Sequence, residues 1–88
     1  MFKELMNKIG DFLDYPPDDI YEFSVSLEDT LTDDYDELHE EQPGATEILA
    51  SEVPYLCAEA EPGMTVDEIE DFRERLKTEY EKAQKAMI

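Results

Sequence analysis

Between Ile9 and Phe72 the chain runs for 64 residues with 21 Asp and Glu and not one Lys or Arg. Any compact state has to be built against the self-repulsion of that stretch. Its carboxylates must face water while its apolar residues cover one another. The seven cations lie outside it: Lys3 and Lys8 at one end, Arg73, Arg75, Lys77, Lys82 and Lys85 at the other. With 88 residues and a formal net charge of −18, the chain is long enough for one modest core and one domain, residues 1–88. Disorder is excluded because the apolar residues, nine aromatics among them, recur with a period.

Four segments carry helical spacing. Phe2, Leu5, Met6, Ile9, Phe12 and Leu13 line one face of the first, which Tyr15-Pro16-Pro17 stops. Pro17, followed by Asp18 and Asp19, suits the first turn of the second. There Ile20, Phe23, Ser24, Leu27, Leu31 and Leu38 share a face, and Glu22, Asp29, Asp33, Asp36 and Glu40 gather opposite. Asp34 falls near the apolar edge, so a break or kink is expected beside the good N-caps Thr32 and Asp33. Gln42-Pro43-Gly44 reads as a loop. Ile48, Leu49, Val53, Leu56, Cys57 and Ala60 form the third face, with Pro54 expected to kink it. Thr65-Val66-Asp67-Glu68 is a capping box, flanked by the hydrophobic staple Met64 and Ile69. The core face beyond it is Ile69, Phe72, Leu76, Tyr80, Ala83 and Met87. No segment alternates like a strand. The expected fold is all-α, a small antiparallel four-helix bundle.

The residues for catalysis do not assemble. His39 is the only histidine, and Asp36-x-x-His39 lacks the second motif and the inward glutamates of a di-iron site. Asp29 to Asp36 places an aspartate where a calcium loop needs glycine. Cys57, alone, forms no internal disulfide and reads as a small core residue of a reducing compartment. Neither a signal peptide nor a membrane span is visible. The chain is therefore expected to be cytoplasmic, without cofactor or metal, and not an enzyme.

What remains is recognition. A dense negative field repels nucleic acid and anionic membrane and speeds encounter with basic proteins. The candidate binding carboxylates are Glu22, Asp29, Asp33, Asp34, Asp36, Glu37, Glu40 and Glu41. Tyr21 and Tyr55 are the candidate aromatic anchors, since charge alone gives little net affinity. Phe12-Leu13, Ile20-Tyr21-Glu22-Phe23-Ser24, Ile48-Leu49 and Cys57-Ala58-Glu59-Ala60-Glu61-Pro62, followed by a charged final helix, resemble the colicin D immunity family. The resemblance implies a helical immunity protein that inhibits a basic tRNase or other RNase toxin domain in a 1:1 complex. Acidic side chains would plug the toxin's cleft in place of substrate phosphates. The chain departs from the family in a shorter third connection and a more concentrated acidic middle. The residues leave two alternatives open. One is a nucleic-acid mimic of another kind, such as a phage inhibitor of a DNA- or RNA-binding enzyme. The other is a non-inhibitory acidic adaptor or chaperone.

Overall fold

A computed structural model describes residues Met1–Ile88. It contains five helices and no strand: α1 (Phe2–Asp14), α2 (Tyr21–Asp33), α3 (Tyr35–Glu41), α4 (Pro43–Ala58) and α5 (Val66–Ala86). The expected count of four is corrected to five, because the second segment divides at Asp34, whose backbone (φ −103°, ψ 13°) leaves the helical region. Despite its charge the chain is dense. Its radius of gyration is 12.3 Å, against about 12 Å for a folded domain of this length.

α1 buries all six of its expected apolar positions, Phe2 to Leu13. It ends at Asp14, and Pro16 and Pro17 follow in non-helical backbone. The prolines do not open α2 as expected. That helix begins at Tyr21, whose N–H is taken by the Asp19 Oδ1 at 2.9 Å, a local turn that fixes the start four residues past the second proline. Ile20, just outside the helix, is buried with Ser24, Leu27 and Leu31. Phe12 joins three helices: its ring stacks on Phe23 of α2 (4.1 Å, 6°) and meets the edge of Phe72 of α5 (5.7 Å, 82°). Such pairs add about 0.5–1.5 kcal/mol each beyond the area they bury.

The expected loop Gln42-Pro43-Gly44 is in fact a one-residue corner. Gln42 alone is non-helical, Pro43 is the first residue of α4, where no N–H is needed, and Gly44 lies inside the helix. The Gln42 amide also holds the far end of the chain, accepting from the Ile88 N–H (2.8 Å) and donating to the Ile88 carbonyl (3.2 Å). α4 continues through Pro54 and packs against α2, α3 and α5. Its Ala45, Leu49, Val53, Leu56 and Cys57 are buried in the shared core. The Thr46 hydroxyl is buried there without a hydrogen-bond partner, at a cost of about 1–3 kcal/mol.

Gly63, at φ +77°, makes the left-handed turn out of α4 that a side chain would strain. The capping box then starts α5. The Thr65 hydroxyl accepts from the Glu68 N–H (3.2 Å), and the Glu68 carboxylate accepts from the Thr65 N–H (2.9 Å). α5 returns antiparallel to α4, so that its end meets Gln42. Phe72, Leu76 and Ala83 are buried, and Tyr80 packs half-buried against them. Met87, expected in this face, is exposed, because α5 stops at Ala86 and Met87 is extended. No helix is long and apolar enough to cross a membrane.

Candidate partner-binding surface

Burying Ser24, Leu27 and Leu31 turns the opposite side of α2 to water. Two parallel rows of side chains four residues apart lie there. Tyr21, Val25, Asp29 and Asp33 form one, Glu22, Ser26, Thr30 and Asp34 the other. They border an open groove of about 490 Å³. The groove is graded along its length. Tyr21 and Val25, each 41% exposed, give its first two turns an apolar ridge. Asp29, Asp33 and Asp34 fill the end, where the helix dipole is negative and no basic residue stands in the last turn.

Five of the ten sequence-predicted residues thus come together: Tyr21, Glu22, Asp29, Asp33 and Asp34. The others do not join them. Asp36 and Glu37 sit in the first turn of α3, where carboxylates suit the positive end of that helix. Glu40 is exposed on α3 but does not line the groove, since the break at Asp34 interrupts the regular wheel that aligned it with Asp29. Glu41 has a structural task. Its Oε1 accepts from the Phe2 N–H (3.2 Å) and from the Met1 amino group (3.3 Å), holding the first turn of α1. Tyr55 is 73% exposed on α4 and lies outside the groove.

Three lining residues escaped the sequence reading. Val25 could have been found, because it continues the four-residue spacing from Tyr21 to Asp29. Ser26 and Thr30 carried no chemical signal, and both are engaged internally. The Lys8 ammonium donates to the Ser26 hydroxyl while lying 5.9 Å from the Phe23 ring centre, and the Thr30 hydroxyl donates to the Ser26 carbonyl. Lys8 is thus the cation that the fold brings to the groove edge. A smaller depression of about 240 Å³, bordered by Met1, Glu4, Leu5 and Lys8, shares Thr30 and Asp34 with the groove.

Ion pairing follows the same division. Arg73 reaches Glu70 and Glu74, Arg75 reaches Glu59 and Asp71, and Lys82 reaches Glu79. None of Glu22, Asp29, Asp33, Asp34, Asp36, Glu37 or Glu40 pairs with a cation. Elsewhere the chemistry is quiet. Burial pushes the Cys57 thiol up to about 12, aided by Glu28 and opposed by Lys8, so it stays protonated and unreactive at neutral pH. His39 stacks on Tyr35 and its Nε2 lies 3.2 Å from Glu47 Oε1, bridging α3 to α4. Nowhere do three His, Cys, Asp or Glu side chains converge as a metal site requires. Comparison with protein-family models, with curated proteins and with solved structures finds no match.

Proposed function

We propose that this chain is an immunity-type inhibitor that binds a basic nuclease toxin domain one to one and covers its cleft. One observation carries the reading. From Glu22 to Glu41 there are nine carboxylates in 20 residues, and only Glu41 is ion-paired within the molecule. Carboxylates with no cation of their own are free to stand where phosphates would on a phosphate-binding protein. Attraction of this kind raises association rates by roughly 10–1,000-fold and weakens with salt. In this reading α2 and α3 act as one bent arm of a four-arm antiparallel bundle, held rigid from behind by α4. Rigidity matters because a preformed array loses less entropy on docking than a flexible acidic tail. The resemblance to the colicin D immunity family supports a ribonuclease as the target, and the absence of a free basic surface on α2 and α3 argues against direct contact with nucleic acid.

The test is co-purification with the product of the adjacent gene, followed by a cleavage assay. A stable 1:1 complex that no longer cuts RNA is the expected result. A complex with undiminished activity would make the chain an adaptor instead, and failure to bind would end the proposal.

A further inference from the structure

We infer that the α2 groove receives an amphipathic basic helix of the partner. In this arrangement an apolar side chain lies against Tyr21 and Val25, and Lys or Arg side chains meet Asp29, Asp33 and Asp34. This rests on the proposed function and specifies its contact. The groove walls are rows of residues four apart, ridges between which a ridge of a second helix fits. From Tyr21 to Asp33 the track is about 18 Å long at 1.5 Å per residue, three turns of an occupant. α2 offers no strand edge for an extended peptide to join.

Charge complementarity sets the sign and the direction. The exposed apolar pair lies at one end of the groove and the unpaired aspartates at the other. Both the negative end of the α2 dipole and the lack of any basic residue in its last turn leave that end short of positive charge. The groove hydroxyls do not compete for a ligand, since Ser26 is held by Lys8 and Thr30 by the backbone. A second copy of the chain is disfavoured as occupant by the net charge of −18 that each copy brings.

The probe is a synthetic helical peptide with one leucine followed by arginines four and eight residues later. Two companions replace the leucine by alanine or the arginines by glutamine. Amide NMR titration of the full chain at low salt is expected to confine shifts to residues 21–34, with both companions binding several-fold more weakly. Asp29→Asn with Asp33→Asn is expected to weaken the peptide by about five- to tenfold. Asp11→Asn with Asp14→Asn, the same change of charge on α1, is expected to change binding less than twofold, and circular dichroism should confirm both variants folded. Shifts spread over every acidic face, equal binding of the alanine companion, no binding at all, or a dimer of the free chain would each overturn the inference. The toxin assay keeps the two ideas apart. If the toxin is inhibited while the groove variants have no effect, the groove is wrong and the function stands. If the toxin is not bound, the function falls whatever the peptide does.

Discussion

α2 and α5 hold acids at nearly the same density, four in 13 residues and seven in 21, and use them in opposite ways. In α5, Asp67 and Glu68 occupy the first turn and Glu68 closes the capping box. Glu70, Asp71, Glu74 and Glu79 each lie within 4.0 Å of an Arg or Lys of the same helix. Arg73 also donates to the Leu13 carbonyl at 2.7 Å and so fastens the end of α1. In α2 no acid has a cation, Asp33 lies at the wrong end of the dipole, and the helix is kept in place by its buried face and the Phe12–Phe23 stack. Most of the acids therefore support the fold in α5, whereas in α2 only Glu22, in the first turn, is favourably placed. The unpaired charges of α2 are the ones that the proposed contact with a basic partner would use.

The largest effect that would break this contrast is kinetic. Asp29→Asn, Asp33→Asn and Asp34→Asn together should slow association with the proposed basic partner by about 10–100-fold in low salt. Glu70→Gln with Glu74→Gln should slow it less than threefold. Stopped-flow rates decide the matter, and equal slowing by both sets would mean that only net charge counts. On the other side of the contrast, Thr65→Ala should cost about 1 kcal/mol, lowering the melting temperature by roughly 4–8 °C. Glu68 sharpens this through pH. Its folded carboxyl is held below the ordinary value of 4.5 by the backbone hydrogen bond with Thr65 and then by the side-chain one. It therefore stabilises the protein above that value, and the contribution disappears as pH falls through the folded one. The difference in melting temperature between wild type and Glu68→Gln should vanish in acid; a difference that persists there would deny the capping role.

The parts of this molecule that a reader of the sequence can find are those fixed within about four residues. The α1 stripe, the Thr65 box and the break beside Asp33 are set by periodicity and local hydrogen bonds. α2 starts later than Pro17 suggests, because the Asp19 carboxylate, expected inside the first turn, captures the Tyr21 N–H from outside it. Other features depend on partners far away in the chain. Glu41 looks like one more exposed carboxylate until the fold sets it against Phe2, 39 residues away. Lys8 looks remote from the acidic middle until α1 lays it on Ser26, 18 residues on. Which acids are ion-paired and which are not is thus a tertiary property, and composition alone counts Glu41 with the unpaired ones.

The smallest effect tests the contrast from the side of stability and needs no partner. Asp33→Lys removes a carboxylate from the negative end of α2 and supplies the cation that its last turn lacks. The gain should be about 0.3–1 kcal/mol at low ionic strength, read as a higher midpoint in urea with an unchanged slope. It should shrink in 0.5 M salt, roughly, as screening shortens the reach of the charges involved. The same substitution should weaken capture of the proposed partner, so stability and binding would move in opposite directions at one residue. Were Asp33→Lys instead to destabilise the free protein, Asp33 would be supporting α2 through an interaction other than the dipole, and the division of labour between the two helices would not hold.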